Sequence, residues 1–170
     1  MIKRAEEASQ ALRSIWSTYG LLHIPYRLLI LSKMIDRTAS ASRLRSQHLT
    51  LAEWRVMANL LGTGGSTVNA IAVAAYVDRA EVSRAAGLLE QRGLVARLPH
   101  PDSKAKRLLK LTAAGQDIAE LISAQRRDFY SYLLEGLTEA NRQKLDDLLL
   151  HLAVRIEEHD AENGAGQAAA

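Results

Sequence analysis

The chain of 170 residues contains no cysteine, which excludes disulfide bonds, thiolate metal sites and cysteine nucleophiles. The lack also fits a reducing cytoplasm, where we expect the protein to reside. Long hydrophobic runs are missing as well, since runs such as residues 28–31 and 148–150 are far shorter than a membrane span. The charged residues near the N-terminus are not followed by an unbroken apolar stretch, so we expect no secretory signal.

Aromatic residues make up only 5% of the chain, whereas alanine and leucine are abundant, and this composition favours helices. Hydrophobic residues account for 48% and charged residues for 24%, as in a globular chain. The length suits one domain, or one module joined to a second helical element.

Signals for catalysis or for a cofactor are also lacking. The glycine-rich residues 62–67 are not followed by the lysine that a phosphate-binding loop requires. The five histidines lack the short spacing that is typical of a metal site. We therefore expect no metal, no cofactor and no enzymatic activity.

Charge is unevenly placed along the chain. Residues 36–110 carry 12 Lys and Arg against 6 Asp and Glu, whereas the two flanks together are acidic. A basic middle segment indicates contact with a polyanion, although an uneven spread of ordinary solvated charges is an equally good interpretation of charge alone.

Helix signals divide the first half of the chain. A helix is predicted over residues 5–19, and Pro25 begins another that extends to about residue 47. Thr50 with Glu53 forms a capping box for the next helix, which the glycines of residues 62–65 end.

A tight helical pair and a hairpin follow. Thr67 caps a short helix that ends near Ala75, and Asp78 caps a helix over residues 79–92. Two extended segments, 94–98 and 107–111, flank a stretch rich in turn formers, which predicts one β-hairpin. Thr112 and Thr138 cap two further helices with apolar stripes, and residues 161–170 are predicted to be disordered.

This order of elements is that of a winged helix-turn-helix, and several stretches resemble the multiple antibiotic resistance regulator (MarR) family. They are Leu-Thr-Leu-Ala-Glu-Trp-Arg-Val at 49–56, Asp-Arg-Ala-Glu-Val-Ser-Arg at 78–84, Leu-Glu-Gln-Arg-Gly-Leu-Val at 89–95, Pro-His-Pro-Asp at 99–102 and Leu-Lys-Leu-Thr-Ala-Ala-Gly at 109–115.

The resemblance implies a mainly α fold with a small β-hairpin wing and a helical dimerisation region. The implied organisation is an N-terminal dimerisation segment at 1–48, a winged helix-turn-helix at 49–112, a C-terminal dimerisation segment at 113–160 and the tail at 161–170. It also implies a homodimer that binds double-stranded DNA at an inverted-repeat operator, typically as a repressor that a small-molecule effector releases.

The turn between the two helices and the wing both depart from the family pattern. Tyr76 occupies the turn where a glycine is common, and a bulky residue there predicts a wider or shifted turn. In the wing, Ser103 and Ala105 occupy the usual Asp-x-Arg positions, although Asp102 and Lys104 offer the pattern shifted by one residue.

The helix over residues 79–92 has two distinct faces. A helical wheel places Val82, Ala85, Ala86 and Leu89 together as the packed face. The opposite face is small and polar apart from one arginine, as a helix in a major groove requires, but an ordinary solvated face has the same composition. The candidate DNA-contacting residues on this helix are Arg79, Ala80, Ser83, Arg84, Gly87 and Gln91.

Two further groups are candidates for DNA contact. Lys104, Lys106 and Arg107 lie beside the wing turn, where they reach a phosphate backbone or serve only as a solubilising loop. Thr67 and Asn69 lie at a helix N-terminus, where they hold phosphate or serve only as a cap.

The candidate effector-binding residues pair aromatic surface with polar or cationic groups, which suits a small aromatic or anionic molecule. They are His23, Tyr26, Trp54 and Arg55. The alternative is that Trp54 belongs to the core, Arg55 is a surface charge, and the other two residues cap a dimer interface. A second function also stays open at this stage, a helical protein-interaction or scaffold module whose winged domain no longer reads DNA.

Overall fold

The computed structural model describes residues 9–17, 20–40, 43–101 and 103–168. Its elements, apart from a 3₁₀ turn at Leu21–His23, are α1 (Gln10–Ser17), α2 (Ile24–Ser40), α3 (Arg43–Ser46), α4 (Leu51–Thr63), α5 (Val68–Ala75), α6 (Arg79–Gln91), β1 (Val95–His100), β2 (Ser103–Leu111), α7 (Ala113–Leu133) and α8 (Glu139–Ala168). The fold is mainly helical with one antiparallel hairpin, as predicted. Contacts divide the chain into one unit of residues 15–130 and another that includes residues 131–168.

The start of α4 shows the predicted capping box. The Glu53 N–H donates to Thr50 Oγ1 at 3.2 Å, and the Thr50 N–H donates to the Glu53 carboxylate at 2.8 Å. The helix continues through Gly62 and ends at Gly64, which takes the left-handed conformation with φ of 70°. The predicted stop therefore falls on the second glycine of the run.

The turn between α5 and α6 corrects one prediction. Tyr76 itself adopts the left-handed conformation, with φ of 50° and ψ of 46°, so this conformation is not shifted to another residue. The Tyr76 N–H donates to the Val73 carbonyl and the Val77 N–H to the Ala72 carbonyl, at 3.3 Å and 3.1 Å. These bonds satisfy the last carbonyls of α5 and offset the strain of a non-glycine residue in this region.

Helix α6 begins as predicted at Asp78, whose Oδ1 accepts the N–H groups of Ala80 and Glu81 at 2.7 Å and 3.2 Å. Its packed face is also as predicted, since all four residues that the helical wheel placed there are buried. This face packs against α4 and α5.

The hairpin is longer than the sequence predicted. β1 and β2 extend through most of the stretch of turn formers, with Val95 opposite Leu111, Pro99 opposite Arg107 and His100 opposite Ser103. Both strands of a two-stranded sheet are edge strands, and proline is compatible with an edge strand because the N–H that it lacks is not needed on the open side. Ser66 adds an isolated bridge to Leu109, with N–H···O distances of 3.0 Å and 2.8 Å.

The hydrophobic core of the unit formed by residues 15–130 contains apolar side chains from α4, α5, α6, both strands of the hairpin and α7. Its largest fully buried members are Val56, Met57, Leu60, Ile71, Leu89, Leu109 and Ile122. The core therefore joins α4, α5, α6, β2 and α7 into one packed body that fixes the orientation of α6.

The C-terminal helices begin at the predicted caps. Thr112 Oγ1 accepts the Gly115 N–H at 3.1 Å, and Thr138 Oγ1 accepts the Asn141 N–H at 3.3 Å. The tail does not match the prediction of disorder, because α8 continues through Ala168, while residues 169–170 lie outside the described part. No proline interrupts this stretch, and its alanines favour the helix. None of the helices described is long and apolar enough to cross a membrane.

Gly115 seats the first turn of α7 on the chain segment that links α6 to β1. A Cβ at this position would overlap the carbonyl group of Leu94. The Thr112 N–H also donates to that carbonyl at 3.1 Å, and the Thr112 hydroxyl donates to the Gly93 carbonyl at 2.7 Å. Any larger residue at position 115 would clash with the backbone of Leu94, so only glycine fits there.

We predict that Gly115→Ala destabilises the protein by about 3 kcal/mol, because backbone must move to admit the methyl group. The matched control is Gly62→Ala, whose Cβ would meet nothing within 4 Å and which lies in α4. It should stabilise by about 0.5 kcal/mol. Urea unfolding of both variants measures the difference, and equal stabilities would contradict the packing described.

Candidate nucleic-acid interface

The outer side of α6 is open to solvent. Ala80, Ser83, Arg84 and Gln91 are exposed, and Gly87 is half-buried. A Cβ at Gly87 would meet nothing within 4 Å, so none of the residues that the structure describes covers the helix at this position. The combination of small residues and one long cation allows another molecule to approach the helix backbone closely.

One groove of about 610 Å³ lies along the first turns of α6. Three guanidinium groups line it, those of Arg79, Arg84 and Arg97, together with Asp78, Ala80 and Ser83. Three guanidinium groups outnumber the single carboxylate of Asp78, so the net charge of the groove lining is positive.

A second groove of about 630 Å³ lies between α5, α6 and the hairpin. Four basic residues line it, Arg79, Arg97, Lys106 and Arg107, and the described part of its lining contains no acidic residue. Side chains from three separate elements thus converge on one basic surface.

The N-terminus of α5 opens onto this second groove. Thr67 and Asn69 belong to its lining, and Thr67 Oγ1 accepts the Ala70 N–H at 3.2 Å. The cap function predicted for Thr67 is therefore present. The first amides of a helix carry partial positive charge, so this end adds to the basic character of the groove.

The structure unites most of the predicted contact residues but adds one that sequence reasoning missed. Arg97 lines both grooves, and its Nε lies 3.2 Å from Glu90 Oε2 of α6. The sequence contained one signal for this contact, the short connection at Gly93, which brings the start of β1 beside the end of α6. Lys104 lies in β2, but its side chain is outside the described part of the structure.

Trp54 of the predicted effector group is buried, with 6% of its surface exposed. The guanidinium carbon of Arg126, on α7, lies 5.6 Å from the centre of the Trp54 ring and 5.5 Å from that of Tyr130. Arg126 Nη2 donates to the Tyr130 hydroxyl at 2.7 Å. Arg126 is itself only 9% exposed, and sequence reasoning missed it because a helical arginine is normally exposed.

A single carboxylate links this cluster to α2. Asp36 lies 3.6 Å from Arg55 and 3.8 Å from Arg126, so two guanidinium groups share one negative charge. Arg126 Nη1 is buried and makes no hydrogen bond. The cluster therefore has an excess positive charge and an unused donor.

The other two predicted effector residues lie elsewhere on the N-terminal elements. His23 ends the 3₁₀ turn and Tyr26 lies in the first turn of α2. Tyr26 precedes Asp36 by ten residues on the same helix, which separates them by about 15 Å along its axis. His23 and Tyr26 therefore lie near the beginning of α2, whereas Arg55 of α4 contacts α2 further along, at Asp36.

The end of α6 is tied to the start of α4 through Arg92. Its guanidinium donates to the carbonyls of Gln47 and His48 at 2.8 Å and 2.9 Å, and lies 3.4 Å from Glu53 Oε1. Glu53 is only 4% exposed, and a buried carboxylate requires such partners.

Comparison with known proteins agrees with this geometry. A sequence model of the MarR family matches residues 49–108. The uncharacterized HTH-type transcriptional regulator ML2140 of Mycobacterium leprae is 30% identical over 130 residues, which cover 72% of this chain and 89% of that protein. The HTH-type transcriptional repressor IacR of Pseudomonas putida is 26% identical over 62% of this chain and 64% of that protein.

A solved structure shows the same fold. The crystal structure of NadR in complex with 4-hydroxyphenylacetate matches with a TM-score of 0.68 and 25% identity, covering 90% of this chain and 98% of that one.

Replacing Arg92 with leucine should destabilise the protein by about 2–3 kcal/mol, because the Glu53 carboxylate would remain buried without its cationic partner. As a control, Arg155→Leu removes an exposed ion pair with Glu158 on α8 and should change stability by less than about 0.5 kcal/mol. Chemical denaturation distinguishes the two, and similar losses in both variants would argue against the anchoring role of Arg92.

Proposed function

This chain is a transcriptional regulator that belongs to the MarR family, and we propose that it represses transcription by binding duplex DNA as a homodimer until a small molecule releases it. The observation that carries the proposal is the convergence of Arg79, Arg84, Arg97, Lys106 and Arg107 on two adjoining grooves. A basic surface built around one exposed helix suits a major groove flanked by phosphates.

Each group of residues has a proposed role. Arg84 pairs with guanine and Ser83 donates to a base or phosphate, while Ala80 and Gly87 allow close approach and Gln91 extends the surface. Arg79, Thr67 and Asn69 hold the phosphate backbone beside the helix. Lys104, Lys106 and Arg107 contact the backbone or the minor groove from the wing.

Dimerisation is proposed from the apolar side chains of α8. Six of its leucine, valine and isoleucine side chains are between 41% and 63% exposed in the single chain, namely Leu145, Leu148, Leu149, Leu150, Val154 and Ile156. A soluble monomer rarely exposes so many in one helix, so we propose that a second copy covers them. A two-fold dimer requires an inverted-repeat operator with half-sites about one helical turn apart.

Effector control is proposed at the cluster of Asp36, Trp54, Arg55, Arg126 and Tyr130. Its excess positive charge favours an anion, and its aromatic rings favour a flat ligand. The related NadR structure contains 4-hydroxyphenylacetate, which is both aromatic and anionic. We propose a molecule of this class for the present chain.

The DNA-binding proposal predicts a steep salt dependence. Six to ten phosphate contacts per dimer would lower affinity by about 10³- to 10⁵-fold between about 50 and 200 mM salt, because binding releases condensed counterions. Fluorescence anisotropy with the upstream region of the gene and with unrelated duplex measures this slope. Failure to bind any duplex at low salt would exclude the proposed function.

Base readout and phosphate contact are distinguishable by two variants. Arg84→Ala should weaken specific binding by roughly 1–3 kcal/mol per half-site and relax base preference. Lys106→Ala should weaken binding to all sequences nearly equally. If both variants reduced specific and non-specific affinity by one common factor, the assignment of Arg84 to base readout would be wrong.

Effector control is tested by calorimetry with a panel of phenolic acids, in the presence and absence of operator DNA. Coupling is reciprocal, so operator should weaken ligand affinity by the factor with which ligand weakens DNA affinity, typically about 5–150-fold. Matched phenols without a carboxylate serve as controls and should bind more weakly. A ligand with equal affinity in both states is not the switch.

A further inference from the structure

Glu90 is an acidic residue near the end of α6, on the helix that we propose to enter the major groove. A carboxylate close to phosphates repels them, so its presence on this helix calls for a compensating role. The structure shows its partner, because Glu90 Oε2 lies 3.2 Å from Arg97 Nε. Glu90 and Arg97 keep 41% and 32% of their side-chain surface exposed.

The exposure of this pair decides what the contact contributes. Exposed ion pairs add little to stability, so the role of the Glu90 carboxylate lies in the orientation that it gives to the Arg97 guanidinium. A guanidinium has one N–H on Nε and four on its two Nη atoms. Since Glu90 engages Nε, the four Nη donors stay available to a ligand in the grooves.

Arg97 lies on the surface where an oriented guanidinium would meet an anion. It is one of two basic residues that line both grooves, the other being Arg79. Arg97 lies on β1 at the base of the wing, whereas Arg84 belongs to α6 and Lys106 to the far strand. An anion held at Arg97 would therefore lie at the junction between recognition helix and wing.

We propose that Arg97 binds a DNA phosphate at this junction and that Glu90 is the positioning residue that holds its guanidinium toward the grooves. The proposal rests on the DNA-binding function proposed above. It makes a prediction opposite in sign to simple electrostatics, because removal of a negative charge should weaken binding here rather than strengthen it.

The test measures affinity for operator and for unrelated duplex across a salt series. Arg97→Ala should weaken both about tenfold and reduce the magnitude of the salt slope by about one per protomer. Glu90→Gln should weaken binding about twofold to tenfold, and this loss should vanish in the Arg97→Ala background. Glu81→Gln, on the same helix but outside the ion pair, is the control and should strengthen binding slightly.

Two results would overturn the proposal. An unchanged salt slope in Arg97→Ala would exclude a phosphate contact, and stronger binding by Glu90→Gln in both backgrounds would show that Glu90 only repels DNA. Both results require a wild-type protein that binds DNA, so they are distinct from a failure of the proposed function. Circular dichroism of each variant confirms that it is folded, as expected for substitutions at exposed or half-buried positions.

Discussion

The buried carboxylate of Glu53 is the contact on which the geometry of the DNA-binding unit depends. It accepts the Thr50 N–H and hydroxyl, both at 2.8 Å, and lies 3.4 Å from Arg92. The first two contacts begin α4, and the third ties the end of α6 to that point. With only 4% of Glu53 exposed, its charge is tolerable only while these partners stay in place.

A recognition helix fixed at both ends determines where the wing can lie. Asp78 caps the beginning of α6 and Arg92 anchors its end, after which Gly93 turns the chain into β1. Thr112 and Gly115 then hold that turn against α7. Together these contacts place Arg97 of β1 beside Glu90 of α6. They also complete a basic surface to which α5, α6 and the hairpin all contribute.

The sequence predicted the parts of this design that depend on near neighbours. Capping at Thr50, Thr67 and Asp78 and the packed face of α6 follow from spacings within a few residues. Sequence reasoning could not place Arg97 beside Glu90 or Arg126 on Trp54, because those contacts depend on how separate elements pack. It was wrong about the Tyr76 turn because hydrogen bonds of the helix end offset a local preference.

The central claim is that the exposed side of α6 reads bases in a major groove, and methylation interference tests it most directly. Methylation of guanine N7 blocks the major-groove edge that an arginine pairs with. Our account predicts that N7 methylation abolishes binding at guanines in two symmetry-related half-sites about one helical turn apart, and that Arg84→Ala removes this sensitivity at one guanine in each half-site. Binding that tolerates methylation of every guanine, or that keeps the same sensitivity in the variant, would contradict it.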